Sequence, residues 1–467
     1  MIDLPGRIRS TPALATGMAL AGLSIFWSGM TAGFVSDSWL FLERAHGASL
    51  LDVASLYNPS VVPATVREAS EWLFYRPSVE LAFWIELRIF GMNPVGYHLV
   101  ALGAHVATAT LVGVLARQLT GSAWAAWGAG MVFVAVLQAH EPVFDAADVH
   151  NALGGPLLLG AVVALAAGRT WLPAILCAIL LTVDESGVLV LPLGVLYAVI
   201  LRPTSWRNVL PVAGVVVAYA VARTLFDDIT AADTLSCAAM ECIAQGMDAS
   251  IGRLFLRPET NIVRYGAASL PLLAVTAALA MVAGRRLVRL RPALFGIGWT
   301  LGTCLFFVIV RYPYMTDRFL YVPFAGVALL AGVIMACAQD RWGEGWSGRT
   351  RVAAVAAVMG VWVWSGAGML IERGARWTAA GDEAARIVGE VMREWPQPPS
   401  HGLFIVDGAP HSLAPEFSPG NTGPYVFHNG LAAALRLAYG REDLGAVKLG
   451  AGTPEAGRPH LRIDVAP

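Results

Sequence analysis

The sequence predicts an all-α polytopic membrane protein of about eleven transmembrane helices, followed by a small α/β domain. Three observations predict it. Hydrophobic residues fill 56% of the 467 positions and charged residues only 14%, too little polar surface to cover a soluble globule of this size. The apolar residues gather in runs of membrane-spanning length. Arginines collect at one end of those runs and acidic clusters at the other, as in a chain threaded back and forth through a bilayer.

A helix needs about 20 apolar residues to cross a bilayer. By that rule the spans lie near 14–35, 94–116, 124–139, 152–167, 171–183, 186–201, 208–226, 262–283, 293–311, 319–339 and 352–371. Arg7 and Arg9 precede the first run, and no small-residue cleavage site follows it, so the run reads as a retained span. Spans 171–183 and 186–201 form a tight hairpin with Asp184-Glu185 at its tip. Their shortness implies burial by neighbouring helices.

One set of connections carries Arg7, Arg9, Arg117, Arg169, Arg202, Arg207, Arg285, Arg286, Arg289, Arg291, Arg341, Arg349 and Arg351, against only Asp3, Asp340 and Glu344. That set is expected on the cytoplasmic side, the N-terminus with it. The other set is then outside: Asp37 with the long loop 36–93, His140 to His150, Asp184-Glu185, Asp227-Asp228, Arg311 to Arg318, and everything after 372. The expected division is a membrane domain over 1–377 and a small extracytoplasmic domain over 378–467. In the latter, Ile387, Val388, Val391, Met392 and Trp395 share a helical face, and 403–406 and 461–463 read as strands.

Cys177, Cys304 and Cys337 sit in apolar runs as small hydrophobes. Cys237 and Cys242 share an outer loop, as a local disulfide or as two free thiols. The formal net charge of −1 gives no basic footprint, and no nucleic-acid partner is expected. Lys448 is the single lysine, read first as coding bias toward arginine.

The outer face concentrates the chemistry. Asp37 opens a loop whose Trp39, Phe41, Leu42, Trp72, Phe74, Tyr75, Phe83 and Trp84 suit helices lying at the membrane interface. Under that cover Asp37 is either a general base for a hydroxyl or a helix-boundary charge. Arg76, Arg311 and Arg318 suit a phosphate, which arginine clamps with two parallel hydrogen bonds, or ion pairs with neighbouring loops. His140, Asp145, Asp148, Asp184, Glu185, Asp317, Tyr75, His98 and Tyr321 are expected to line a polar substrate cavity. A divalent metal is not favoured, because no ligand spacing such as H-E-x-x-H is present. His98 and His105, seven apart on the second span, suit interhelical hydrogen bonds.

Several strings then form a pattern over about 30–330. Asp37 stands at the end of the first span, and Tyr75-Arg76-Pro77 follows in the first loop. Asn93-Pro94-Val95-Gly96-Tyr97-His98 with His105 opens the second span. His140 to Asp145, Asp184-Glu185 with Pro192, and Asp317-Arg318-Phe319-Leu320-Tyr321-Val322-Pro323 complete it. The pattern resembles the GT-C class of membrane glycosyltransferases, in particular bacterial relatives of the protein O-mannosyltransferases and of the transmembrane tetratricopeptide-repeat O-mannosyltransferases. The last string, similar to that class's DRYLYLP, is the most specific.

The resemblance implies a multi-pass protein of the bacterial inner membrane that uses a polyprenyl-phosphate sugar donor. Asp37 would be the base and Arg318 the first choice for the lipid phosphate, with Arg76 and Arg311 beside it. The acceptor would be a glycan, lipid or protein, and membrane lipids would surround the site. The departures are Ser38 in place of a second acid, Glu141 in place of a proline, Asp184 in place of a lysine, and the absence of the repeats. The alternatives are a transporter or flippase of a lipid-linked or anionic solute, and a catalytically degenerate assembly subunit. Charges gathered at one end of the spans, not at mid-span, favour the enzyme.

Overall fold

The computed structural model describes residues 11–58, 75–226, 240–255, 290–311, 316–341, 345–413, 423–448 and 459–465. Its helices are α1 (Thr11–Phe26), α2 (Asp37–Gly47), α3 (Leu50–Ser55), α4 (Pro77–Phe90), α5 (Pro94–Thr120), α6 (Ala123–Val134), α7 (His140–Phe144), α8 (Val149–Ala166), α9 (Leu172–Leu181), α10 (Val190–Ile200), α11 (Trp206–Phe226), α12 (Met240–Phe255), α13 (Leu290–Arg311), α14 (Tyr321–Arg341), α15 (Trp346–Glu394) and α16 (Leu431–Tyr439). Three parallel strands, β1 (Leu403–Asp407), β2 (Gly445–Lys448) and β3 (His460–Asp464), form one sheet in the order β2-β1-β3.

Among the described residues seven helices are long and apolar enough to cross a membrane, or eight if α6 and the segment Leu137–Phe144 count as one span bent by 58°. The chain is a multi-pass membrane protein. Leu172–Leu181 and Glu185–Ile200 are apolar but shorter, where the sequence placed its short hairpin. The span expected at 262–283 lies outside the described residues, and so does Cys237, which the sequence left either paired with Cys242 or free.

The first apolar run ends as a helix sooner than expected. The span is Thr11–Gly29, and residues 32–35 are non-helical before α2 starts at Asp37. The last expected span, 352–371, is part of α15, a single 49-residue helix. Residues 372–394 carry no proline and are rich in alanine, arginine and glutamate, good helix formers, so the helix continues beyond the apolar segment.

Two close approaches put α15 and the C-terminal segment at the head of the bundle. At the first, the Gly33 and Gly381 backbones meet so tightly that a Cβ on Gly381 would lie 2.2 Å from the Gly33 nitrogen. At the second, Gly430, with φ +79°, lies against the Ser36 carbonyl, 2.1 Å from where a Cβ would stand. Only glycine combines that φ with that clearance. In the C-terminal segment Phe404 and Val406 on one face of β1 and Leu461 and Ile463 of β3 pack with Leu431, Ala434 and Leu435 of α16. The Phe404 ring stacks on Tyr439. Both strand runs inferred from the sequence lie within β1 and β3.

Candidate active site

The acidic residues singled out in the sequence come from separate elements yet meet at one end of the bundle. Asp37 is the first residue of α2, where a negative charge suits the exposed N–H groups of a helix start. Ser36 before it has φ 43° and ψ −122°, a strained conformation for a residue with a side chain. The C-terminal segment holds it there. The Ser36 N–H donates to the Val426 carbonyl at 2.9 Å, and the Ser36 hydroxyl accepts from the Asn429 N–H at 3.2 Å. The Asn429 side-chain amide donates to Asp37 Oδ1 at 2.8 Å. Arg436 adds a two-pronged pair with Glu43, nearly two turns further along α2.

Behind Asp37 lies Asp145, between α7 and the following turn. Its Oδ1 accepts from the Ala147 N–H at 3.0 Å and from the Ser38 hydroxyl at 3.2 Å. Burial, followed by the charges of Asp148 and Asp37, pushes its carboxyl up to about 7. Ser38, standing where a second acid was looked for, therefore orients a carboxylate instead of supplying one.

Two arginines enter this acid-rich end in different ways. Arg76 donates to Glu185 Oε2 through Nε at 3.1 Å and through an Nη at 2.8 Å, and reaches Asp184 Oδ2 at 3.1 Å. Asp184 also caps the turn after it, accepting from the Ser186 N–H at 2.8 Å. Arg76 thus ties the first loop to the tip of the short hairpin. Arg318, on the turn Asp317–Leu320, has Glu141 at 3.7 Å and Asp148 at 3.8 Å. Among the described residues no acceptor lies within hydrogen-bond distance of its guanidinium. The Glu141 carboxylate is fully buried, and neither of its oxygens has a hydrogen-bond partner. Asn151 donates to Asp148 at 2.8 Å, and His150 stands 3.5 Å from Asp148 and 3.7 Å from Asp184.

His140, Glu141 and Asp317 offer ligand atoms within 4.8 Å of one another, which raises the question of a metal. The Trp377 indole N–H donates to His140 Nδ1 at 3.1 Å, so the neutral ring carries its hydrogen on Nε2. That hydrogen points to Asp317 Oδ2 at 3.2 Å. With Nδ1 accepting and Nε2 protonated, the ring has no lone pair left for an ion. Trp377, His140 and Asp317 form a hydrogen-bonded pin between α15, α7 and the 317–320 turn.

The remaining predicted residues take up structural positions. His98 is buried, its two ring nitrogens 3.0 Å and 2.9 Å from the Val143 and Ala32 carbonyls. His105 meets the buried Tyr321 hydroxyl at 2.9 Å. The Tyr75 hydroxyl donates to the Tyr57 carbonyl at 2.8 Å, and Arg311 ends α13. Sequence reasoning missed Asn429, its neighbour His428, and Trp377. The Asn429-Gly430 pair before a helical run was a turn signal, but nothing in it pointed to Asp37.

No protein-family model matches the chain, and no curated protein sequence does. Solved structures do. ArnT from Cupriavidus metallidurans in the apo state matches at a TM-score of 0.50 with 13% identity, over 91% of this chain and 84% of that one. The chain has a GT-C fold. ArnT bound to undecaprenyl phosphate matches at 0.48 with 14% identity, over 96% and 87%. The oligosaccharyltransferase AglB from Archaeoglobus fulgidus, in complex with an inhibitory peptide and a dolichol-phosphate, matches at 0.48 with 10% identity, over 84% and 62%.

Proposed function

We propose that the protein transfers a sugar from a polyprenyl-phosphate-linked donor to an acceptor hydroxyl at the extracytoplasmic face of the bacterial inner membrane. Asp37 is the general base and Arg318 the contact to the donor phosphate. One observation carries this reading. Asp37 is partly exposed and adjoins Ser38, whose hydroxyl reaches Asp145 at 3.2 Å, while Arg318 stands 3.8 Å from Asp148 on the turn that follows Asp145, with no acceptor in hydrogen-bond distance among the described residues; the charges of both act on Asp145. A carboxylate and a guanidinium so placed suit the two ends of a glycosyl transfer. Asp37 takes the hydroxyl proton as the new C–O bond forms at the anomeric carbon. The bond to the phosphate breaks with its electron pair going to phosphate oxygen, and Arg318 stabilises that charge.

The site's position at one end of the spans supports an enzyme over a transporter, whose ionisable groups lie near mid-membrane on broken helices. Because ArnT has been crystallised with undecaprenyl phosphate, a polyprenyl phosphate is the donor class to test first. The string Asp317 to Pro323 keeps an O-mannosyltransferase-like relation in view. Arg76, engaged by Asp184 and Glu185, supports the site's walls. The segment around Val426, Asn429 and Gly430 forms an extracytoplasmic cover over Asp37, with the N-terminus on the cytoplasmic side.

The test incubates purified protein with polyprenyl-phosphate sugars and measures release of polyprenyl phosphate. Asp37→Asn is expected to lower the rate by about 10²–10⁴. Equal rates in wild type and variant would reject Asp37 as base, and no release from any donor would favour an assembly subunit.

A further inference from the structure

The only lysine of the chain lies where the C-terminal segment covers the site. Lys448, at the end of β2, places its ammonium 3.2 Å from His411 Nδ1. The ammonium can only donate there, so His411 carries its own hydrogen on Nε2. His411 Nε2 in turn meets His428 Nδ1, the two rings lying edge to face with centroids 4.2 Å apart. The hydrogen on His411 Nε2 is donated to His428 Nδ1, and this leaves His428 with its N–H on Nε2. Partial desolvation lowers both imidazoles from their ordinary range, and Lys448 lowers them further, so the rings stay neutral and the relay of donors keeps its direction. Among the described residues no carboxylate pairs with Lys448.

Both His411 and His428 are exposed, and the charges of Asp37 and Arg318 act on His428 in opposite directions. Its neighbour Asn429 holds Asp37. A positive charge with no carboxylate partner among the described residues, extended by two exposed imidazoles to a donor N–H one residue from the amide that holds Asp37, is a binding device for an oxyanion.

We propose that His411, His428 and Lys448 form a subsite for an oxyanion, a phosphate or carboxylate borne by the acceptor next to its reacting hydroxyl. The subsite rests on the glycosyl-transfer reading only for the word acceptor; the oxyanion chemistry stands on the cluster itself. Lysine suits this position because its ammonium is a compact charge that can both fix a ring tautomer and meet an oxyanion.

The test uses full-length protein with ¹⁵N-labelled histidine in phosphatidylcholine nanodiscs, titrated with inorganic phosphate and separately with acetate. A parallel sample replaces the lipid by phosphatidylglycerol. The His411 and His428 resonances are expected to move, and Lys448→Met to weaken the phosphate response about tenfold. A response to soluble anions in neutral discs assigns a water-borne acceptor. A response only in anionic discs assigns a lipid head group, and both support the subsite. No response in either lipid overturns the proposal, as does one untouched by both Lys448→Met and His411→Gln, which places the anion at Arg318. His411→Gln also serves if Lys448→Met does not fold. Asp37→Asn separates the two readings, since its donor turnover tests the transfer while its imidazole response tests the subsite.

Discussion

Arg76 and Arg318 occupy the same acid-rich end of one bundle and have opposite relations to it. Arg76 spends its donors at 2.8–3.1 Å on Glu185 and Asp184. Arg318 has its carboxylates at 3.7 and 3.8 Å, too far for a hydrogen bond. A closed bidentate pair is a finished structure, whereas a guanidinium whose ion pairs stand beyond hydrogen-bond distance has donors that no described residue engages, and these suit a new anion. Residue type and neighbourhood are therefore not enough to assign a role at such a site; the distances decide.

The comparison is broken or upheld first by removing each arginine. Arg76→Gln leaves two carboxylates at a half-buried corner without their cation, and is expected to destabilise the protein by about 3–5 kcal/mol. In a detergent melt this reads as a large fall in Tm, with activity lost in step with folded protein. Arg318→Gln should leave Tm nearly unchanged and lower polyprenyl phosphate release by about 10²–10³. If the two variants exchange these signatures, the phosphate contact belongs to Arg76.

Much of this end of the molecule was legible in the sequence, for physical reasons that also set its limits. The spans, the clustering of Asp37, Asp145, Asp148, Asp184 and Asp317, and the β1 and β3 runs are local patterns of hydropathy and charge. What was not legible are pairings between distant parts of the chain. Asn429 and Asp37 are 392 residues apart, Trp377 and His140 237, and Arg76 and Glu185 109. Each depends on how helices cross, and a crossing such as Gly33 on Gly381 leaves no periodic signal. The tautomer of His140, which decides against a metal, is set by an indole from α15 that the sequence assigned only to the edge of the membrane part.

Asp145 tests the open corner by pH. Its carboxyl titrates at about 7 when folded, against an ordinary 3.8, so the folded state binds a proton that the unfolded chain has released. Stability is then full below about 4, falls as pH rises toward 7, and is lowest above. Across that window the change is on the order of a few times 1.36 kcal/mol. Asp145→Asn keeps the oxygen that accepts from Ser38 and Ala147 and removes the titration. Its Tm should vary less between pH 4 and 7 and exceed wild type at pH 8. A wild-type Tm that rises over the same range would mean that Asp145 is ionised and paired, and the corner around Arg318 closed.

The smallest expected effect concerns the cover over that corner. Asn429 holds one oxygen of Asp37 and, through its backbone, the strained Ser36. Asn429→Ala deletes only the side-chain bond, about 1–1.5 kcal/mol for a bond to a charged group at a partly exposed site, and leaves the Ser36 contacts in place. Turnover should fall about tenfold with KM for the donor unchanged, since the donor's phosphate meets Arg318 and not this amide. Asn429→Asp sets a like charge against Asp37, and its loss should exceed that of alanine and lessen at acid pH as one carboxylate takes a proton. A rise in donor KM without a fall in turnover would move Asn429 to the phosphate end, and the division of labour between the two ends of the site would have to be redrawn around it.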